Sequence, residues 1–419
     1  MGTIRKSIFA AWLLSAAWVR LEASPFSHQR NLIPGHRAAS MAGAFTAVAD
    51  DPSAVHWNPA GLALMDRPEV SMSGLGLVHS ETRYDETVDG AAFVERTQTY
   101  TPGFFGSSLR LGRLGLGYGF SSLDERNVNQ NDSFADVELV TGETVDYYRT
   151  YQESSNLSSI GAGAAFAFSE SFSAGLSAAY YRRQSAVSNF QIVTAASGAF
   201  TTRNLKFETL NEGLLGTVGL LVRSGKFRAG FSYRYPFALS DNTSVSDVLA
   251  DSPGGDSAQV PGSVNRVTSL EGKTRDFDEP AVRTYQLGLA WGTPGVALLA
   301  ADLIKHAPGE ADGARGLQTT YNFSAGLEAG LGGIVFRGGI LSNLSLYPAP
   351  ATGQANQPTA IDYRGYAAGI GFTTKTREVS VGYIRQIGSG TAQMVADSLA
   401  IQNVSGSMEN LLLSSRVFF

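Results

Sequence analysis

Between Phe227 and Tyr235 the side chains alternate without a miss. Phe227, Ala229, Phe231, Tyr233 and Tyr235 are apolar or aromatic, and Arg228, Gly230, Ser232 and Arg234 between them are not. Successive residues of a strand point to opposite faces, so this segment is a strand with one wholly apolar face. The pattern returns at Phe172–Arg183, where Phe172, Leu176 and Tyr180 oppose Ser173, Gly175, Ser177 and Arg183. It returns again at Tyr321–Glu328, where Tyr321, Phe323, Ala325 and Leu327 oppose Asn322, Ser324, Gly326 and Glu328. A soluble sandwich or propeller would show turn signals at both ends of its strands and often a fixed repeat, and neither is present. A barrel whose outer face meets lipid satisfies the pattern, because only alternate residues must be apolar.

About fourteen such segments can be drawn, an even number that suits a bacterial outer-membrane barrel. Short turns are expected near Gly112-Arg113, Ser169-Glu170-Ser171, Ser224-Gly225, Gly292-Thr293-Pro294, Gly332-Gly333 and Lys375-Thr376. Long polar loops are expected near 84–98, 124–156, 186–209, 239–281, 307–317, 345–361 and 389–405. Short turns belong to the periplasmic side and long loops to the cell exterior. Tyrosines near strand ends, such as Tyr235 and Tyr285, suit an aromatic girdle. Mean hydropathy is −0.04, too polar for a bundle of membrane helices and compatible with a barrel.

The first 66 residues read differently. Arg5 and Lys6 precede an apolar run from Ser7 to Val19, the layout of a secretory signal over residues 1–23. That run is shorter than the roughly 20 residues a spanning helix needs. Residues 24–66 are expected to form a compact unit, and residues 67–419 the barrel. From Ala38 to Ala49 the chain is small and apolar, with Met41, Phe45 and Val48 spaced as on one face of a short helix. Asp50-Asp51-Pro52-Ser53 breaks it, since proline has no N–H and restricts its predecessor. Asn58-Pro59-Ala60-Gly61 is a tight-turn sequence.

The stretch GAFTAVADDPSAVHWNPAGLA, with its Asn58-Pro59-Ala60 motif, resembles the amino-terminal hatch of FadL-type outer-membrane transport proteins. That family includes long-chain fatty acid and aromatic hydrocarbon transporters, and the PorV-type proteins of a secretion system. The resemblance implies an all-β transmembrane barrel of about fourteen antiparallel strands, plugged by a small helical hatch. It implies passive outer-membrane uptake of a hydrophobic small molecule such as a fatty acid or hydrocarbon. A PorV-like shuttle or anchor for secreted proteins is the alternative. It also implies lateral release at a kink in the third strand, here Leu114–Ser122. Gly115, Gly117 and Gly119 face inward there, and either admit the kink or make room for the hatch. The terminal Phe419, on the apolar face with Leu411, Leu413 and Val417, resembles the signal read by the barrel-assembly machinery.

Several chemistries find no residues. There is no cysteine, hence no disulfide, thiolate metal site or cysteine nucleophile. His28, His36, His56, His79 and His306 show no metal-ligand spacing. No nucleophile elbow is present, and Gly115-Leu-Gly117-Tyr-Gly119 lies inside a strand pattern, so no enzyme and no cofactor are expected. A net charge of −5 gives no basic footprint for nucleic acid. What remains is ligand binding. Arg183 and Arg234 face the lumen, and a guanidinium fork matches a carboxylate. Inward Asp302 could instead neutralise one of them. An apolar tail is expected to run toward Met41 and Phe45. Asp50 and Asp51 are expected to pair with Arg110, Arg223, Arg228, Arg337 or Arg416 near the rim.

Overall fold

The computed structural model describes residues 27–88, 91–138, 144–196, 198–252, 266–272, 282–309, 316–355, 357–393 and 399–419. The expected signal segment, residues 1–23, lies outside them. Sixteen strand segments form one antiparallel sheet closed on itself. In chain order, the first half of the ring holds β1 (Glu69–Val88), β2 (Ala91–Thr101), β3 (Phe104–Leu111), β4 (Leu114–Glu138), β5 (Thr144–Ala167), β6 (Phe172–Ala195), β7 (Phe200–Ser224) and β8 (Phe227–Ser252). The second half holds β9 (Arg266–Gly272), β10 (Arg283–Thr293), β11 (Ala297–Ala307), β12 (Thr320–Leu331), β13 (Ile334–Asn343), β14 (Ala360–Thr373), β15 (Arg377–Ala392) and β16 (Gln402–Phe418). β16 pairs with β1, which closes the ring. β2 and β3 both pair with β1, and β9 and β10 both pair with β8, so each of these couples fills one position. The barrel therefore has fourteen positions.

The alternation of the sequence is the alternation of the wall. Phe231, Leu176 and Phe323 are exposed on the outer face, whereas Ser232, Ser173 and Asn322 are buried inside. All six short turns fall where expected. Gly112, Gly225 and Gly332 take the positive φ that such turns require. The long polar loops are a correction. Residues 124–138, 144–156, 186–195 and 200–209 continue the ladders of β4, β5, β6 and β7. Every second residue there still points inward into a packed interior, including Val128, Tyr147, Tyr151, Val187 and Leu205. The outward residues are polar because they meet water above the membrane, and in sequence such polarity resembles that of a loop.

Three irregularities share one level. β1 shifts register between Gly74 and Leu77, β4 shifts between Ser122 and Asp124, and Pro102-Gly103 separates β2 from β3. Gly103 is tied to both neighbours, its N–H to Ser73 O at 3.1 Å and its carbonyl to Ser122 N at 3.0 Å. Above it, among the described residues, no backbone ladder joins β2 to β4. Side chains bridge them instead: Gln130 Nε2 donates to Val94 O at 3.0 Å, Thr97 Oγ1 donates to Asn127 O, and Arg126 pairs with Glu95.

The residues from Ile33 to Met65 fill the barrel, nearly all of them buried. They form α1 (His36–Ser40), α2 (Ala54–Trp57) and a 3₁₀ helix, Pro59–Leu64. The expected helix over Ala38–Ala49 is a second correction. It ends at Ser40, because Ala42 and Gly43 adopt φ of 56° and 77°, and turns follow. Met41, Phe45 and Val48 are fully buried all the same. Asp51 starts α2 as an Asx turn, its Oδ1 accepting from Ser53 N at 2.8 Å and Ser53 Oγ at 2.5 Å. Asn58 caps the 3₁₀ helix, Oδ1 accepting from Ala60 N at 3.2 Å, and its amide donates to Thr46 O at 2.8 Å and Leu220 O at 3.1 Å. Pro59 follows at the first helical position, where its missing N–H costs nothing. Gly61 then lies against the backbone of Ala49, closer than any side chain allows.

Candidate ligand cavity

A cavity of about 130 Å³ lies between the hatch and the wall. Ile33, Pro34, His56 and Trp57 of the hatch bound it on one side, and Leu157, Leu215, Pro236, Val282 and Ile304 of the wall on the other. Arg30, Arg183, Arg234, Asp124, His28 and His306 supply its charged and titratable groups. The two arginines singled out from the sequence, on β6 and β8, therefore border one space. Arg183 is buried. Arg234 is half-buried and donates from Nη2 to the His56 carbonyl.

Asp302 does not neutralise either of them. Its Oδ2 accepts from Phe45 N at 2.9 Å, Thr46 N at 2.9 Å and Thr46 Oγ1 at 2.7 Å, so it caps a hatch turn. Met41 and Phe45 do not line the cavity. Both are fully buried beneath it, with Met41 packed against Gly326 and Gly339 and the Arg37 guanidinium 5.6 Å from the Phe45 ring.

Arg30 is held rigid. It donates to Ser342 O at 2.9 Å, Ala42 O at 3.0 Å and Ser324 Oγ at 2.6 Å, and burial lowers its pKa to about 10, so it stays charged at neutral pH. His28 spans from Ser27 Oγ at 2.8 Å to Ile361 O at 2.7 Å, and burial lowers its pKa. Burial, with the Arg234 charge beside it, holds the His56 pKa well below the ordinary imidazole value. His306 Nδ1 is 3.1 Å from Thr284 Oγ1, and its Nε2 has no hydrogen-bond partner among the described residues. Sequence reasoning assigns His306 no role. Its shared parity with inward Asp302 and Ile304 is the signal that marks it as lumenal.

A second space of about 20 Å³ is bounded by Val55, Phe104, Gly119, Ser121, Ser159, Ser177 and Thr217. It lies beside Phe104, the first residue after the Pro102-Gly103 break. Gly115, Gly117 and Gly119 lie in unbroken ladders with both β3 and β5. Any Cβ on Gly115 would overlap the Leu62 carbonyl, and one on Gly117 would lie 2.7 Å from Leu62 Cδ2. Gly115 and Gly117 make room for the hatch, whereas a Cβ on Gly119 would meet the Phe104 ring of the wall at 3.0 Å. The interruption of pairing is one strand earlier, above Gly103.

Below the cavity, near the short-turn end, eight charges alternate from wall through hatch to wall. Arg228 meets Asp50 at 3.1 Å, and Asp50 meets Arg37. Arg37 meets Glu328 at 2.7 Å, and Glu328 meets Arg337 at 2.8 Å. Arg337 meets Glu378 at 2.7 Å, Glu378 meets Arg416 at 3.2 Å, and Arg416 meets Glu69 at 2.7 Å. Each buried ion thus has an opposite partner, without which burial is strongly unfavourable. Of the arginines proposed for Asp50 and Asp51, Arg228 reaches Asp50, and Arg337 and Arg416 belong to the same chain of charges. Arg110 is exposed and Arg223 half-buried, and both bond turn carbonyls. The neighbouring Asp51 bonds Ser53. Among the described residues, no cluster of His, Asp and Glu could hold a metal ion.

The geometry invites comparison with known barrels. A family model described as "Uncharacterised protein family (UPF0164)" matches residues 22–122. No curated protein matches in sequence. Among solved structures, a Pseudomonas aeruginosa FadL homologue superposes with a TM-score of 0.65 at 12% identity, over 92% of this chain and 98% of that one. The fold is that of the FadL-type barrels. The Pseudomonas putida toluene transporter TodX gives a TM-score of 0.62 at 13% identity, covering 93% and 99%. The Ralstonia pickettii toluene transporter TbuX gives 0.59 at 12%, covering 93% and 99%. A closed fourteen-position barrel of this type, with its apolar outer belt, is a bacterial outer-membrane architecture.

Proposed function

We propose that this barrel passes small hydrophobic molecules carrying one acidic group across the outer membrane, by diffusion and without catalysis. The observation that carries the reading is the cavity itself, apolar along most of its wall and bordered by Arg183 and Arg234. A carboxylate is costly to bury unless paired, and a guanidinium supplies the partner. Apolar walls favour the remainder of the ligand by about 0.8 kcal/mol per buried CH₂. At about 130 Å³ the space is comparable with cavities that hold a benzene-sized molecule. A ring-sized or medium-chain acid suits it as it stands. A long-chain fatty acid, the ligand implied by family resemblance, needs further space to open.

The solved relatives named for toluene transport support an apolar cargo. Release is proposed to be lateral, through the seam between β2 and β4 above Gly103, since the smaller cavity adjoins it. A role as a secretion-system anchor would need no ligand cavity beneath the mouth, and this favours transport. The test is mass spectrometry of organic extracts from the purified barrel, with equilibrium binding of decanoate and decanol to native protein and to Arg183→Ala. Loss of decanoate binding with decanol binding retained supports the proposal. Equal loss for both probes, or no binding of either by native protein, overturns it.

A further inference from the structure

Among the described residues, only His56, Leu215 and Arg234 border both cavities. Arg234 spans the boundary, with its guanidinium donating to the His56 carbonyl at the end of α2. No carboxylate among the described residues pairs with it. Its charge is therefore met by one neutral oxygen, although a guanidinium carries five donors. We propose that Arg234 is the partition between the two cavities, and that an acidic head group in the larger one opens it. This rests on the transport reading above.

The exchange is a competition between acceptors. A carboxylate brings the opposite charge and accepts two parallel bonds from the guanidinium fork, where the neutral His56 carbonyl accepts one. It draws Arg234 off the His56 carbonyl and toward the ligand. The boundary is then reduced to Leu215 and the hatch backbone. Beyond it stand the hydroxyls of Ser121, Ser159 and Thr217, with Phe104 against the break in the wall. A neutral ligand of the same shape offers no second charge, so Arg234 stays in place. The partition thus couples the chemistry of the head group to passage, beyond its effect on binding.

The test uses the full-length protein in phospholipid vesicles with benzoate and benzyl alcohol as probes. Binding is read from quenching of Trp57, which lines the larger cavity, in a background where Trp12, Trp18 and Trp291 are replaced by Phe. Passage is read as the rate at which bound probe leaves for the vesicle lipid. Arg234→Met is expected to weaken benzoate binding by about 10-fold or more, the loss of a charged hydrogen bond. It is expected at the same time to speed benzyl alcohol release several-fold, because the barrier is gone. Filling the smaller cavity with Thr217→Leu in that variant is expected to abolish the gain. Weaker benzoate binding with unchanged benzyl alcohol release overturns the partition and leaves Arg234 a ligand contact. A gain that survives Thr217→Leu also overturns it, since it then reflects a loosened hatch. If native protein binds neither probe, the transport reading falls first and the partition with it.

Discussion

The guanidinium of Arg37 and the carboxylate of Glu328 meet in two parallel hydrogen bonds, Nε to Oε2 at 2.7 Å and Nη2 to Oε1 at 3.0 Å. One residue belongs to the hatch and the other to β12. The hatch is thus fixed by a geometry-specific fork in the middle of a chain of buried charges, as well as by apolar contact.

Glu328→Gln should therefore loosen the hatch. It leaves Arg37 and Arg337 facing a neutral amide, and breaking one partner of a buried pair costs about 3–5 kcal/mol. The expected result is faster protease cleavage between residues 30 and 66 with the barrel ladders intact. Cleavage at the native rate would show that the apolar contacts hold the hatch unaided.

The wall also carries the imprint of the hatch. Gly230 on β8 stands against Thr46 so closely that a Cβ would overlap its carbonyl, and Gly175 on β6 would place a Cβ 2.5 Å from the Pro59 backbone. Gly230→Val removes that room without touching the outer face. It should displace the hatch and give measurable ion conductance in a planar bilayer, where the native protein is expected to be silent. Silence in the variant would mean that the hatch can shift and still seal.

Much of this was legible in sequence because it is local. Period-two alternation named the faces, glycine-bearing sequences named the short turns, and Asp50-Asp51-Pro52-Ser53 named the break before α2. The run of buried charges was legible only in part. Arg337, Glu378, Arg416 and Glu69 lie far apart in the chain and become neighbours only when the ring closes. The strand extensions were missed because polar outward residues above the membrane look like loop until their inward partners are counted. The wall irregularity was expected at the glycines of β4. Pro102-Gly103, a breaker pair in plain view, marks the interruption one strand earlier.

Acid should weaken hatch docking. His36 in α1 is fully enclosed, and burial, reinforced by the Arg337 charge, pushes its pKa down to about 3. An undocked imidazole keeps an ordinary value of about 6.5. Above that value both states are neutral and docking has its full strength. Below it the undocked state takes up a proton that the docked state refuses, so stability falls toward pH 3, by at most about 1.4 kcal/mol per pH unit for this group. His28 and His56 shift in the same direction and steepen the dependence. Hatch protease protection should drop between pH 7 and pH 5, and His36→Gln should flatten the profile. An identical profile in the variant would remove His36 from the account.

The seam between β2 and β4 gives the sharpest dynamic prediction. β3 is paired on both sides by backbone ladders, to β1 and to β4. β2 is paired by a ladder to β1, and side chains reach it from β4. Arg126 is the main clasp, bonding Glu153 on β5 at 2.8 Å through Nε and Glu95 on β2 through Nη2. Amides held in a ladder exchange only when strands part, whereas amides without one exchange through small local openings. Hydrogen exchange in β2 should therefore run well ahead of β3 at residues 104–111, and Arg126→Ala should widen the difference by freeing Glu95 and Glu153. The same variant should speed release of bound probe into lipid, because the clasp lies over the proposed exit. Equal protection of β2 and β3 would show that the seam is as firmly closed as the rest of the wall, and lateral release at this place would have to be given up.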